Sequence, residues 1–380
     1  MITTINNKHK KLNVPNLRFP EFQGKWEKSK LSDLCTFFSG GTPSSSNKDF
    51  YGGDIAFIRS GELHADSTEL FITQDGYDNS SAKMVEIGDL LLAMYGATSG
   101  DISISKIKGA INQAILCIRT NQNKKFIESV WNKHVSKILR KYLQGGQGNL
   151  SADIVKGISF SFPTLEEQER IANLISLLDE RIATQNKIIE DLKKLKSAIS
   201  KKLLCNDKWT TYKIQDIAEI GRGRVISSVE IDRQKHPLYP VYSSQTSNDG
   251  IMGYLDEYMF DGEYITWTTD GANAGTVFYR KGMFNCTNVC GTLKILPKFD
   301  CYFVSLVLQQ ATQKYVSSNL ANPKLMNNTM ASIKIKMPDI KTQKQLSKIF
   351  QTLDSCLLVH QRTCCMYSRE KQYLLCQMFI

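Results

Sequence analysis

Long apolar runs are missing from this chain of 380 residues. No stretch approaches the roughly twenty apolar residues that a membrane-crossing helix needs, so no transmembrane role is expected. The first residues, Met1-Ile-Thr-Thr-Ile-Asn-Asn-Lys-His-Lys, lack the apolar segment of a signal peptide and read as a polar arm. Histidine is scarce, with five in all, and no ordered Ser/His/Asp or Cys/His set stands out. The ten cysteines are read as free thiols of a reduced, cytoplasmic protein rather than as disulfides. Cys286 and Cys290 lie four apart with no nearby histidine. Zinc wants four ligands in tight pairs, so no metal is expected.

Signatures of catalysis are equally sparse. Gly221-Arg-Gly-Arg has no Lys-Ser/Thr where a phosphate-binding loop needs it. Gly96-Ala-Thr-Ser-Gly lacks the strand–glycine–helix layout of a dinucleotide site. Asn322-Pro-Lys-Leu begins like an amino-methyltransferase motif, but Lys and Leu replace the proline and the aromatic residue that would stack on a flipped base. Asp191-Leu-Lys has nuclease-like spacing but lies in a helical stretch. The expectation is a chain without a catalytic site.

One further absence organises the rest. Glycine and proline do not occur between Thr164 and Leu204. Alternating steps of four and three from Ile171 give Ile171, Ile175, Leu178, Ile182, Gln185, Ile189, Leu192, Lys196, Ile199 and Leu203. All but Gln185 and Lys196 are aliphatic, which is the seam of a coiled coil. Pro163 and Thr164 form a start signal. Glu166, Glu167 and Glu169 suit the positive first turns, and Lys193 to Lys202 include five lysines near the far end. About 40 residues at 1.5 Å each make a rod of roughly 60 Å.

Around this helix the chain reads as follows: a polar arm at 1–16, a first domain at 17–163, the helix at 164–206, a second domain at 207–338 and a second helix at 339–380. In the first domain, Trp26 opens a strand and a short helix. Leu90-Leu-Leu-Ala-Met is a short buried strand, and Ile111-Asn-Gln-Ala-Ile-Leu-Cys-Ile another. Lys125 to Leu143 is helical in pattern, and Ile158-Ser-Phe-Ser-Phe a closing strand.

The plan then repeats. Trp26 is matched by Trp209 at an offset of 183, and Gly88-Asp-Leu-Leu-Leu by Gly262-Glu-Tyr-Ile-Thr at 174. Pro163, Gln168 and Asp179 are matched by Pro338, Gln343 and Asp354, all at 175. Moving the seam by 175 gives Leu346, Phe350, Leu353, Leu357, His360, Cys364, Tyr367, Lys371, Leu374 and Met378. The polar breaks recur: Gln185 becomes His360, and Lys196 becomes Lys371. A seam histidine beside a glutamine reads as a register device rather than a ligand or base. Repeat symmetry leads us to expect the two helices to pack antiparallel about a pseudo-two-fold axis.

The formal net charge is +11. Residues 1–163 hold 20 basic and 15 acidic side chains, 164–206 hold 8 and 7, and 207–380 hold 20 and 15. Two basic lobes suit a polyanion gripped at two points. Lobe loops are rich in side chains that can contact base edges and phosphates. In the first lobe the candidates are Thr42, Ser44, Lys48, Tyr51, Arg59, Tyr95, Asn112, Gln113, Gln144 and Asn149. In the second they are Arg222, Arg224, Tyr242, Ser243, Gln245, Thr269, Asn273, Asn288 and Lys324. Any one of these has a surface or turn role as its simpler account, and the case rests on the ensemble.

These residues carry a resemblance. Ser39-Gly-Gly-Thr-Pro-Ser, Phe50-Tyr-Gly-Gly-Asp-Ile, Tyr95-Gly-Ala-Thr-Ser-Gly, Asn112-Gln-Ala, Asn149-Leu-Ser and Pro163-Thr-Leu-Glu-Glu-Gln-Glu-Arg-Ile-Ala resemble, in that order, the target-recognition domain and spacer helix of a type I restriction–modification specificity subunit. Tyr239-Pro-Val-Tyr-Ser-Ser-Gln-Thr, Ile265-Thr-Trp-Thr-Thr-Asp-Gly-Ala-Asn-Ala-Gly-Thr-Val and Cys286-Thr-Asn-Val-Cys-Gly are similar to a second such domain of another branch. The second spacer departs from the pattern, with Lys341-Thr-Gln-Lys-Gln-Leu-Ser in place of Leu-Glu-Glu-Gln-Glu-Arg-Ile.

The resemblance implies an α+β fold. Two mixed α/β target-recognition domains would stand in tandem, each followed by a long helix, and the helices would form an antiparallel coiled-coil spacer. It implies a non-catalytic subunit that reads a bipartite, asymmetric site in double-stranded DNA, one half per lobe. Its partners would be two modification subunits that methylate adenine with S-adenosylmethionine and two restriction subunits that use ATP, with Mg also on the partners. No cofactor is expected on this chain. The other reading is a two-lobed coiled-coil adaptor that binds proteins and has basic lobes only incidentally.

Overall fold

Apolar residues on both sides of a strand require cover on both sides, and this explains the first lobe. The computed structural model describes residues 3–4, 13–142, 149–204, 206–317 and 322–380. The chain divides into two compact units, Met1–Asn186 with Arg362–Ile380, and Lys187–Gln361.

In the first unit a four-stranded antiparallel sheet runs in the order Cys35–Ser39, Ile115–Thr120, Leu90–Ala93, Ile102–Ile104. Leu90–Ala93 is buried at every residue. Leu90 and Leu92 share a core with Trp26, Phe126 and Trp131, while Leu91 and Ala93 pack on the other side with Ile58 and Ile111. That double burial is why the strand reads as a continuous apolar run. The helix Lys124–Tyr142 covers one face, and Trp131 Nε1 donates to the Gly100 carbonyl at 2.8 Å. A second sheet has the order Phe71–Ile72, Tyr51–Ile58, Gly109–Ile111, Lys83–Val85. Its central pair is parallel, with Ile58 opposite Ile111. Glu27–Lys30 pairs antiparallel with Ser159–Phe162, next to the start of the long helix.

The single strand expected from Ile111 to Ile118 is two. Gly109–Ile111 ends in one sheet and Ile115–Thr120 begins in the other. The Asn112 side-chain oxygen accepts from the Ala114 N–H at 3.1 Å, turning the chain between them. The Asn-Gln pair interrupts the apolar run without a glycine or proline, so the pattern hides the turn.

The second unit, taken by itself, repeats the plan. Ala218–Arg222, Cys290–Ile295, Glu263–Thr268 and Val277–Lys281 form the antiparallel sheet in that order. Ile251–Leu255, Tyr239–Tyr242 and Asn285–Cys286 form a three-stranded sheet, its last two strands parallel. Thr210–Lys213 pairs with Lys334–Met337. Trp267, Phe303 and Phe350 are wholly buried in its core, and Trp267 Nε1 donates to the Leu325 carbonyl at 2.9 Å.

The two long helices are Leu165–Leu203 and Ile340–Met378, 39 residues each. Thr164 Oγ1 accepts from the Glu167 N–H at 3.4 Å, and Asp339 Oδ1 accepts from the Lys341 and Thr342 N–H groups at 3.0 Å. Those contacts satisfy N–H groups that a helix start leaves unpaired. Glu167 is more than a dipole partner: it is buried against Arg18 at 2.7 Å and accepts from Trp26 Nε1 at 3.2 Å. Gln168 and Gln343 are matched clamps. Gln168 donates to the Pro163 carbonyl at 3.0 Å and accepts from the Asn123 N–H at 3.2 Å. Gln343 donates to the Pro338 carbonyl at 2.8 Å and accepts from the Asp300 N–H at 3.0 Å.

Within the first unit the two helices run antiparallel. Asp179 pairs with Lys371, Arg181 Nη1 donates to Tyr367 Oη at 3.2 Å, and Asn186 meets Cys364. Seven residues forward on one helix is seven back on the other. Ile171, Ile175, Leu178, Leu374 and Met378 are buried in the lobe core, and Ile182 and Tyr367 are partly buried. In the second unit Lys196 pairs with Asp354. There Phe350 is buried, and Ile199, Leu346 and Leu353 pack on the core beside it. Ile189, Leu192, Leu203 and Leu357 are partly buried. The outer stretches of both helices are therefore core helices of the lobes as well as partners of each other. Among the described residues no helix is long and apolar enough to cross a membrane.

Candidate nucleic-acid interface

In each lobe one crossing of the backbone gathers the polar candidates. Strand Cys35–Ser39 leaves its sheet at Gly40 and passes over the end of the parallel pair, where the Gly41 N–H donates to the Ile111 carbonyl at 3.2 Å. A Cβ on Gly40 would lie 1.8 Å from that carbonyl oxygen, so only glycine fits. In the second lobe the Arg224 N–H donates to the Cys286 carbonyl at 3.2 Å. A Cβ on Gly223 would lie 2.1 Å from that oxygen. Met94 N–H to the Ala114 carbonyl (2.8 Å) and Leu150 N–H to the Met94 carbonyl (2.9 Å) pin the next loop. Thr269 N–H to Val289 and Leu325 N–H to Thr269, both 2.9 Å, repeat the same two bonds.

The first-lobe candidates sort around this crossing. Thr42 donates to the Gln113 side chain, and both are exposed. Arg59 follows Ile58, beside Asn112, whose N–H donates to the Ile58 carbonyl at 3.2 Å. Ser44, bonded to Ser46 at 2.7 Å, and exposed Lys48 lie on the loop beyond. Tyr51 Oη donates to the Pro43 carbonyl at 2.7 Å, which makes it a brace for that loop. Tyr95 follows pinned Met94, and exposed Asn149 precedes Leu150. Gln144 lies outside the described residues.

In the second lobe, Arg222 Nη2 donates to Thr269 Oγ1 at 3.1 Å and to Asp270 at 3.4 Å, and its Nε donates to the Asn288 carbonyl. Lys324 Nζ lies 3.5 Å from the other Asp270 oxygen. Arg222, Thr269 and Lys324 thus converge on Asp270, a residue that sequence reasoning missed, and Asn288 holds Arg222 through its backbone carbonyl. The signals for Asp270 were its place in the loop after the Glu263–Thr268 strand and within the Ile265-Thr-Trp-Thr-Thr-Asp-Gly motif. Thr269 itself is buried and bonds Asp270 at 2.6 Å, so its hydroxyl is committed internally. Asn273 donates to the Ser244 carbonyl at 3.4 Å, Ser243 Oγ accepts from the Gln245 N–H at 3.4 Å, and Gln245 donates to the Ile251 carbonyl.

Tyr242 is the base of a stack. The Arg280 guanidinium lies 3.6 Å from its ring centre and 4.4 Å from that of Phe278. Arg280 is 4% exposed and donates to Asp249 at 2.7 Å. It holds the turn in which Asn248 and Asp249 take positive φ values of 49° and 54°. This arginine was also missed; an arginine inside an aromatic strand, Val277-Phe-Tyr-Arg-Lys, was the available sign.

Three candidate arginines already face carboxylates: Arg59 meets Glu62 at 2.9 Å, Arg224 meets Glu230, and Arg222 meets Asp270. Hydrogen bonds from Arg59 and Arg224 hold the Glu62 and Glu230 carboxyls below the usual range. Exposed pairs of this kind are worth about 0–1 kcal/mol, so a phosphate or base edge can exchange for the carboxylate at little cost. Cys286 and Cys290 are free and buried. Burial pushes both thiols up, Cys290 to about 11. Among the described residues no group of three or more His, Cys, Asp and Glu could hold a metal ion.

The sequence model of the type I restriction modification DNA specificity domain matches this chain twice, over residues 23–194 and 206–363. The chain belongs to that family. A candidate type I specificity subunit of Mycoplasma pneumoniae is 38% identical over 195 residues, half of this chain and 81% of the relative. The specificity subunit of the type I restriction enzyme MpnII from the same organism is 42% identical over 145 residues, 38% of this chain and 43% of the relative. Among solved structures, the S subunit of a type I restriction–modification system from M. genitalium superposes with a TM-score of 0.73 at 17% identity, over 97% of this chain and 99% of that one. A chain from a structural study of type I R-M complex assembly superposes with a TM-score of 0.53 at 14% identity, over 92% and 96%. These likenesses establish the fold: two tandem recognition domains of mixed helix and sheet, with long helices.

Proposed function

We propose that this chain is the non-catalytic DNA-specificity subunit of a type I restriction–modification complex. Each lobe reads one half of a bipartite, asymmetric site in double-stranded DNA. The observation that carries this is one backbone crossing built twice with different side chains. Ser39 and Gly41 are matched by Arg222 and Arg224, Arg59 by Ser243, Tyr95 by Asp270, Gln113 by Asn288 and Asn149 by Lys324. A repeated scaffold with two unlike sets of donors and acceptors suits two unlike half-sites. The relatives named as specificity subunits support the same reading.

In this reading the two long helices act as an antiparallel coiled-coil spacer. Exposed apolar side chains on them, among them Leu177, Leu195, Leu358 and Met366, offer a surface to the modification subunits. Two modification subunits with S-adenosylmethionine and two restriction subunits with ATP and Mg then complete a cytoplasmic complex. The test is to sequence methylated adenines in the host genome with and without this gene. One bipartite motif should lose methylation when the gene is removed. An unchanged methylome in a host carrying the partner subunits sinks the proposal. An adaptor that binds only proteins would also show no steep loss of DNA affinity with salt.

A further inference from the structure

Matched positions on the long helices keep some charges and reverse others. Lys196 and Lys371 correspond, as do Asp354 and Asp179, and each lysine pairs with an aspartate of the other helix. Elsewhere Glu166 corresponds to Lys341 and Glu169 to Lys344, while Lys193 and Lys201 correspond to Ser368 and Cys376. Pairing of the helices needs the first set and does not explain the second. As a result residues 187–203 and 340–361 hold 9 basic and 3 acidic side chains, against 5 and 6 for 165–186 and 362–378. The near-neutral total of the first helix conceals this asymmetry.

Within the second unit the excess opens onto a groove of about 620 Å³ between the first long helix and the Cys301–Ala311 helix. Lys193, Ser197, Ser200 and Lys201 line it from one helix face, and Gln309 from the other side. Lys193 and Lys201 are exposed, and neither has a carboxylate partner among the described residues. No acidic side chain lines the groove.

We propose that this groove is a sequence-independent contact for the phosphate backbone of duplex DNA. The inference rests on the DNA-binding reading above and goes beyond the loop candidates of the lobes. Two ammonium groups eight residues apart stand roughly 12 Å apart along the helix. Serine hydroxyls and a glutamine amide between them are the neutral donors that phosphate oxygens accept. An acidic protein partner would be expected to combine charge with exposed apolar surface; the two leucines that line the groove, Leu306 and Leu357, are buried and half-buried, and the exposed Leu195 and Leu358 lie outside it.

The test uses the full chain carrying Lys193→Gln with Lys201→Gln, and a second version with arginine at both positions. Probes are the duplex that the unaltered protein selects from a random pool, and a random duplex of equal length. Affinities are measured between 50 and 200 mM salt. Two lost phosphate contacts should shrink the slope of log K against log salt by about 1.8, at about 0.9 per contact. The loss should be equal on both probes, leave the selected sequence unchanged and be absent from the arginine version. An unchanged slope overturns the proposal, as does an altered selected sequence. So does a variant that keeps its DNA slope but loses the modification subunit, which would assign the groove to an acidic protein. If the unaltered protein selects no sequence, the specificity reading fails by itself, and the random duplex still decides the groove.

Discussion

Single residues in this protein are constrained most where two backbones touch. Gly40 and Gly223 each pass so close to a carbonyl that a Cβ has no room. Neither clash is with a flexible side chain, so the backbone itself must move. Gly223→Ala should distort the second lobe only, at a cost on the order of 1–3 kcal/mol. Selection from a random duplex pool should then keep one half-site and degrade the other. Loss of both would show that the lobes do not read independently. Asp179 makes a second prediction. Burial alone would raise its carboxyl, but the hydrogen bonds from Lys125 and Lys371 outweigh burial and hold it below the usual carboxylate range. A depressed folded-state pKa adds stability above the unfolded value of about 4, and that stability is lost as pH falls through the folded value. Asp179→Asn should cost on the order of 1–2 kcal/mol at neutral pH. Thermal melts should show the gap to the unaltered protein closing below about pH 4; a gap that is the same at every pH refutes the account.

At the scale of elements, the helix starts are clamped rather than merely capped. Gln168 and Gln343 each join three pieces of chain: the helix, the proline before it and the start of the helix that covers the sheet. Gln168→Leu leaves the Asn123 N–H and the Pro163 carbonyl without these partners. Each buried group left unpaired costs about 1–3 kcal/mol. Denaturant unfolding should show a lower midpoint for Gln168→Leu, and likewise for Gln343→Leu. An unshifted midpoint would mean that water replaces the side chain without loss. These glutamines were visible in the sequence as a match at an offset of 175, but their role was not. A repeat locates a requirement, whereas the backbone N–H that each glutamine holds, Asn123 or Asp300, comes from a distant segment.

For the whole molecule, the paired helices turn a question of distance into one of register. Asp179 with Lys371 and Lys196 with Asp354 tie the register in each unit. A heptad inserted after Glu190 alone cannot keep both pairs, so it should destabilise the protein. A matched heptad in each helix, after Glu190 and before Gln361, should keep both. If the helices are the proposed spacer, the matched insertion adds roughly 10 Å, about three base pairs at 3.4 Å each. Methylation mapping should then find the same two half-sites with a longer gap. Changed half-site bases would remove the spacer from the account.

The sequence by itself determined the tandem plan, the long helices and their polar breaks, because periodicity and repetition are properties of neighbours along one chain. It also marked most of the loops that carry the polar candidates, since turns need glycine, asparagine and serine. Only the tertiary structure divided the Ile111–Ile118 run between two sheets, because the Asn-Gln turn within it has no glycine or proline to mark it. It alone gathered Arg222 and Lys324 around Asp270, and set Tyr242 beneath Arg280. It also showed Lys196 and Lys371 to be ion-pair partners rather than mere interruptions of the seam. Each of these depends on residues far apart in the chain meeting within a few ångströms, and no local pattern records such a meeting.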